Sequence, residues 1–145
     1  PGITLRTTVM TGFPGETDAR FKELLADLKR MQFDRLGAFA FSPEKGTKAA
    51  RMSGRPSRKI AEERERIVMS EAKKLWKVKS KKMLGEVFDA LVVASGVARM
   101  QSQAPDVDGV VYLLDSPNAR RLEVGDFCRV RLERVDGFDF EGDAL

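Results

Sequence analysis

The apolar positions of this chain change period twice, and each change marks a new kind of element. Leu5-Arg-Thr-Thr-Val-Met-Thr11 is an extended run that stops abruptly at Gly12-Phe-Pro-Gly-Glu-Thr17. Phe21, Leu24, Leu25 and Leu28 then recur at helical intervals, one stripe suited to packing on a sheet. Phe33 to Phe41 is again extended and buried in character, ending at Ser42-Pro43 and a loop with Lys45, Gly46 and Thr47. Strand, corner, helix and strand make a βαβ unit, whose crossover should be right-handed. At the corner, Gly12 and Gly15 can take positive φ or admit a close ligand, and Pro14 fixes the bend between them. Glu16 and Asp18 suit the positive end of the helix that follows.

Ser57 is a plausible N-cap for a long helix with Ile60, Ile67, Val68, Ala72, Leu75 and Trp76 on its apolar face. Glu62, Glu63 and Glu65 lie near its start, while Lys73, Lys74, Lys77, Lys79, Lys81 and Lys82 crowd its end. Two readings fit that gradient: a solvated face that complements the helix dipole, or a patch that contacts anions. From Met83 the period shortens to that of strands, at Glu86 to Ser95, Gly109 to Leu114, Phe127 to Val135 and a short piece at Phe138 to Phe140. Cys128, Val130 and Leu132 share one face, with Arg129, Arg131 and Glu133 on the other, so Cys128 reads as a small buried hydrophobe. Turns fall at Ser95-Gly96, Asp108-Gly109, Ser116-Pro117-Asn118 and Gly125-Asp126. Four or five short strands in so few residues predict a small barrel of the oligonucleotide-binding kind.

Charge divides the chain in the same place. Residues 1–82 hold 20 Lys plus Arg against 10 Asp plus Glu, net +10, and residues 83–145 hold 6 against 12, net −6. We therefore expect two domains, 1–82 and 83–145. A net −6 barrel is a poor match for nucleic acid, whose binding needs Lys and Arg at the phosphates, and a basic partner is the better complement. Arg129 and Arg131 still make a local basic face, and Tyr112, Phe138 and Phe140 are either stacking platforms or core.

Several chemistries are excluded. A Walker loop needs Lys and Ser or Thr directly after its second glycine, where this chain has Glu16-Thr17, and no dinucleotide Gly-x-Gly-x-x-Gly is present. There is no His and a single cysteine, so neither a Ser-His nor a Cys-His pair can be drawn from this chain. No apolar run approaches a membrane span and no signal-like segment opens the chain, which points to the cytoplasm. Pro1 stands where an initiator Met would, which leads us to expect a piece of a longer protein.

The string Pro1-Gly-Ile-Thr-Leu-Arg-Thr-Thr8, followed by Gly12-Phe-Pro-Gly-Glu-Thr17, resembles the radical S-adenosylmethionine methylthiotransferases, most closely their ribosomal-protein branch. The likeness continues through Asp34 to Pro43, Gly46-Thr47, Ala104 to Leu113 and Val124-Gly-Asp126, in the same order. The tRNA-modifying branch usually has Thr-Asp at the place of Thr7-Thr8 and lacks the segment Pro105 to Gly109. The resemblance implies that residues 1–82 end a radical-enzyme α/β barrel, a TIM-like fold present here in part as βαβα. Residues 83–145 would be a TRAM domain, an all-β barrel that recognises substrate. It implies methylthio insertion at the β-carbon of an aspartate on small-subunit ribosomal protein twelve, a basic partner. S-adenosylmethionine and two four-iron, four-sulfur clusters would serve the reaction. Each cluster takes three cysteine thiolates in the family and none of those is present here, so this chain alone is expected to be inactive and to hold no cluster ligand.

Active sites of such barrels gather at the C-terminal ends of the strands. Gly12, Phe13, Pro14, Gly15 and Glu16 after the first strand, with Phe41, Ser42 and Pro43 after the second, should border the cofactor, and Thr8 is placed nearest the cavity. Arg129, Arg131, Tyr112, Phe138 and Phe140 are the candidates for substrate contact. Two other functions stay open: a tRNA methylthiotransferase, and a free-standing module that binds RNA or protein. A partial barrel would also leave a sheet edge open to association.

Overall fold

A computed structural model describes residues 3–145, so Pro1 and Gly2, which open the string quoted above, lie outside the described residues. The chain divides into two compact units, one ending at Val78 and one running from Lys79 to Leu145.

In the first unit β1 (Arg6–Thr11) pairs in parallel with β2 (Arg35–Ala40), from Arg6 opposite Arg35 to Thr11 opposite Ala40. Between them runs α1 (Asp18–Met31). The Thr17 hydroxyl accepts from Arg20 N at 3.3 Å to start it, Asp18 sits in its first turn and Lys29 and Arg30 in its last. It stops where Gln32 turns left-handed at φ 53° and donates its N–H to Leu28 O. Phe21 and Leu28 are buried with Val68, and Val9, Leu24, Leu25, Phe33, Leu36 and Ala38 pack on them. One face of the sheet is thereby covered. The other presents Met10 and Phe39, 38% and 47% exposed, and neither strand has a second neighbour among the described residues.

A one-turn helix, α2 (Lys48–Arg51), capped by Thr47, precedes α3 (Arg58–Met83), which is capped by Ser57. The buried stripe of α3 differs from the predicted one. Ile60 and Ile67 are about two-fifths exposed, while Ala61, Arg64, Val68 and Trp76 are buried. The helix is rotated because Ala61 meets a glycine and Arg64 finds acidic partners, both described below. Trp76 is covered by the Arg35 guanidinium, 3.8 Å from the ring centroid, a cation–π contact.

The second unit is a closed barrel of β3 (Val87–Ala94), β4 (Val97–Met100), β5 (Val111–Leu113), β6 (Phe127–Asp136) and β7 (Asp139–Ala144), in the order β3-β4-β5-β7-β6. Only the β5–β7 pairing is parallel. Closure leaves no unpaired edge, and register shifts at Val92/Ala94 and Leu132/Arg134 bend the long strands enough to close. Ala90, Val92, Ala98, Met100, Val111, Val130, Leu132, Phe140 and Ala144 are buried. β4 was not foreseen, and the expected short piece at Phe138 is a turn followed by the six residues of β7. Phe140 is fully buried and so cannot be a stacking platform. No helix among the described residues is long and apolar enough to cross a membrane.

Cys128 sits opposite Ala90 in β6 and is half-buried. Burial, and secondarily the nearby Asp126 carboxylate, push its thiol up from the ordinary value. A raised acid pKa in the fold makes this contribution to stability present below the ordinary thiol range and lost as pH rises above it. Iodoacetamide should therefore alkylate the native chain at mildly alkaline pH several-fold more slowly than the urea-unfolded chain, measured by mass shift; equal rates would contradict the placement.

Candidate functional site

The C-terminal ends of β1 and β2 meet the first turns of α3, and a glycine makes that meeting possible. Gly12 has φ +75°, and a Cβ there would collide with the Ala61 side chain and lie 3.1 Å from Ala61 Cα. The neighbouring Thr11 hydroxyl, fully buried, donates to Ala61 O at 2.8 Å. Gly15 N donates to Gly54 O at 2.9 Å, so the corner is also tied to the loop before α3.

Charge fixes the same junction. Arg64 of α3 is only 7% exposed and its Nη1 donates to Glu16 Oε1 at 2.5 Å and to Glu16 O at 3.3 Å. Its Nη2 donates to Asp18 Oδ1 at 2.5 Å, and the guanidinium lies 5.1 Å from the Phe21 ring. The Glu16 carboxylate, 11% exposed, also accepts from Gly12 N at 3.0 Å. Glu16 therefore shapes the corner and has its oxygens engaged within the protein.

Between the strand ends and α3 lies a groove of about 700 Å³. Gly12 and the end of β2 with Phe41, Ser42 and Pro43 form one side; Arg55, Ser57, Arg58, Ala61, Glu62 and Glu65 form the other. Glu65 Oε2 accepts from Ala40 N at 3.2 Å, which pins the end of β2 to the helix. Arg58 Nε donates to Glu62 Oε1 at 2.7 Å, and that bond raises the Arg58 pKa. Phe41 meets Phe13 edge-on, centroids 5.3 Å apart. The groove thus offers both signs of charge beside an aromatic edge, handles for a ligand that is itself zwitterionic and carries a flat ring.

Of the residues expected at this site, Gly12, Phe41, Ser42 and Pro43 line the groove. Phe13, Pro14, Gly15 and Glu16 build the corner beside it. Thr8 is in mid-strand opposite Gly37 on the exposed face of the sheet and does not line the groove. Arg55, Arg58, Glu62 and Glu65 were missed as a group. Their signal was present, since Glu62 and Glu65 are three apart on a helix just after its cap.

The five substrate candidates on the barrel do not form one site. Arg129 and Arg131 point outward from β6 with Phe127, which is 80% exposed and was overlooked although it is in phase with them. Their cross-strand neighbours are Leu91 for Phe127, Asp89 for Arg129, and Val87 and Asp143 for Arg131. Tyr112 lines a separate cleft of about 80 Å³ with Arg134, Asp136, Asp139 and Glu141. There Arg134 Nη2 donates to Glu141 Oε1 at 2.7 Å and Asp139 Oδ1 accepts from Val110 N at 2.8 Å. Phe138 is 45% exposed in the β6–β7 turn, and Phe140 reaches that cleft from the core with no exposed surface. Among the described residues, no three His, Cys, Asp or Glu side chains are placed to hold a metal ion.

Residues 79–145 match the TRAM domain family. The whole chain is 40% identical over 152 residues to a protein of Desulfitobacterium hafniense named ribosomal protein uS12 methylthiotransferase RimO, covering 100% of this chain and 33% of that one. The protein of the same name from Opitutus terrae is 42% identical over 139 residues, covering 96% and 28%, and that from Legionella pneumophila 39% over 147, covering 99% and 33%. The chain is similar to RimO proteins along its whole length. It spans about a third of the length of the curated RimO relatives it matches.

Two variants of this chain test the junction. Arg64→Ala strands the Glu16 carboxylate, and losing one partner of a buried pair costs about 3 kcal/mol or more; urea unfolding followed by the single Trp76 should show it, and an unchanged midpoint would refute the clamp. Gly12→Ala combines backbone strain with overlap and should cost about 2 kcal/mol or more. In the same measurement Ala61→Gly should recover part of that loss but not all of it, because the positive φ persists.

Proposed function

We propose that this chain forms the end of a methylthiotransferase that modifies a basic small-subunit ribosomal protein, inserting a methylthio group at the β-carbon of an aspartate. The observation that carries the reading is similarity along the whole chain to proteins of that name. The uncovered apolar face of β1 and β2 supports it, since parallel sheets are ordinarily buried on both faces and this one has the character of an interior surface in a larger barrel. Such a reaction belongs in the cytoplasm, where ribosomes are made.

The family's reaction uses S-adenosylmethionine and two four-iron, four-sulfur clusters. The clusters do not fit this chain: each needs several thiolates, and Cys128 stands alone in the barrel. On this reading their ligands belong to the remainder of a longer protein. S-adenosylmethionine does fit the groove, where Arg55 and Arg58 complement a carboxylate, Glu62 and Glu65 complement cationic centres, and Phe41 offers an edge to the adenine. When bound it would be the source of the radical that takes hydrogen from the substrate carbon. The chain's own part is to bind and orient. Gly12 keeps the groove floor free of a side chain, and the Glu65 bond to Ala40 N holds the end of β2 still. Hydrogen abstraction from carbon calls for no general base, which agrees with a chain that has no His.

The TRAM barrel then serves substrate recognition. Asp89, Asp106, Glu123, Asp126, Glu133 and Asp136 are exposed on it, and the cleft of Tyr112, Asp136, Asp139 and Glu141 suits a Lys or Arg side chain by charge and by cation–π contact. A second reading, RNA as substrate, is favoured by one feature, the outward row of Phe127, Arg129 and Arg131, which could stack and neutralise a nucleotide.

The deciding experiment uses the full-length protein that contains this chain, reconstituted anaerobically with iron, sulfide and S-adenosylmethionine. It is given the basic ribosomal protein or a tRNA anticodon stem-loop, and the products go to mass spectrometry. Methylthiolation of an aspartate on the protein is expected. Modification of the RNA with the protein untouched would reverse the assignment. For the cleft, D136N/E141Q should weaken binding of the ribosomal protein about tenfold, with R129Q/R131Q leaving it unchanged.

A further inference from the structure

Glu16 stands one residue before the N-cap Thr17, where an acid could reach forward to the free N–H groups that open α1. Its Oε1 turns back instead and accepts from Gly12 N at 3.0 Å, at the end of β1. The same oxygen accepts from Arg64 Nη1. An ion pair between α3 and the start of α1 does not require this arrangement. Arg64 Nη2 already bonds Asp18 Oδ1, whose side chain is 92% exposed, whereas that of Glu16 is sunk to 11%. Burial disfavours a carboxylate, so the ion pair alone does not explain the depth of Glu16.

The bond to Gly12 leads to the groove atom by atom. Gly12, at φ +75°, is where the backbone has most freedom to reorient, and an acceptor on its N–H removes that freedom. The Thr11–Gly12 peptide is planar and trans, so an N–H held on one side holds the C=O on the other. Thr11 O accepts from Phe41 N at 2.8 Å, one step past the last β1–β2 register pair, Thr11 with Ala40. Phe41 lines the groove, and its ring meets Phe13 edge-on at 5.3 Å. One line of contacts thus runs from the buried Arg64 through Glu16 and the Thr11–Gly12 peptide to the aromatic wall of the groove.

We propose that Glu16, held by Arg64, is a positioning residue for the flat ring of the bound ligand. Through the Thr11–Gly12 peptide it sets Phe41, against whose edge the adenine of S-adenosylmethionine packs. This inference rests on the reading of the groove as the seat of that cofactor. Aromatic contacts depend on ring angle and spacing, and a wall fixed before the ligand arrives reduces the ordering that binding must impose.

A double-mutant cycle on the S-adenosylmethionine affinity of the full-length protein that contains this chain, measured by equilibrium dialysis, tests it. E16M/R64M removes both buried charges together, so neither is stranded, and leaves the exposed Asp18 to water. It also removes the acceptor for Gly12 N, and should weaken binding about tenfold. E16Q/R64M loses the same ion pair but keeps an amide oxygen for Gly12 N, and should stay within about threefold of the unaltered protein. E16D keeps a charge beside Arg64 while drawing the carboxylate back from Gly12 N, and should lose affinity as E16M/R64M does in a chain whose ion pair survives. F41A should weaken binding about tenfold, and so should F41A/E16M/R64M, rather than about a hundredfold, because both changes remove one contact. The inference is overturned, with the cofactor reading intact, if E16Q/R64M loses as much as E16M/R64M, if E16D and E16M/R64M bind as the unaltered protein does, or if the losses multiply with F41A. If the unaltered protein does not bind S-adenosylmethionine, the reading of the groove falls and this inference falls with it.

Discussion

A single buried guanidinium holds the first unit in shape. Arg64 is nearly out of water, a position that costs several kcal/mol unless its donors are all met, and it is met by the Glu16 carboxylate, the Glu16 carbonyl, Asp18 and the Phe21 ring. These partners belong to the strand-to-helix corner and the start of α1, while Arg64 belongs to a helix that begins more than forty residues later in the chain. The pair acts together with the buried Ala61, Val68 and Trp76, the Thr11 bond to Ala61 O and the Glu65 bond to Ala40 N in defining the rotation of α3. With it, Ala61 is driven against Gly12, where nothing but glycine fits, and the Ser57-to-Glu65 segment faces the strand ends. The groove is a consequence of that clamp.

The two units solve the problem of sheet edges differently. The barrel pairs every strand with two neighbours and buries a compact interior. The β1–β2 sheet pairs each strand once and covers one face, leaving Met10 and Phe39 exposed on the other. Two parallel strands are too few for independent stability without the packing of α1 and α3. The chain spans about a third of its relatives' length, and on the function proposed above further strands of a longer protein would lie beside β1 and β2.

Much of the architecture was legible because its signals were local. The corner Gly12-Phe-Pro-Gly15, the stripe Phe21-Leu24-Leu25-Leu28 and the alternation from Cys128 to Glu133 each announce an element within a few residues, and they fold as they read. What was missed depends on contacts distant in sequence. β4 has four residues, too short to show a period, and β7 buries Phe140, Gly142 and Ala144, of which two are too small to register as hydrophobic. Ile60 and Ile67 were assigned to the core of α3 by hydrophobicity, when the burial of Arg64 decided the face. Gly12 could be recognised as a special position but not as the contact of Ala61, and the acidic wall of Glu62 and Glu65 becomes part of a groove only once α3 is rotated onto the strand ends. Phe140 shows the opposite failure: an aromatic in a barrel sequence suggests stacking, but its place in the alternation decides whether it faces solvent.

The charge division softens, but keeps its sign, when drawn at the boundary the fold itself makes. Up to Val78 the chain holds 17 Lys plus Arg against 10 Asp plus Glu, net +7, and from Lys79 onward 9 against 12, net −3. A partner that is purely anionic is drawn to the first unit and repelled by the second, and a purely cationic one meets the reverse. Each therefore loses to one unit part of what it gains from the other.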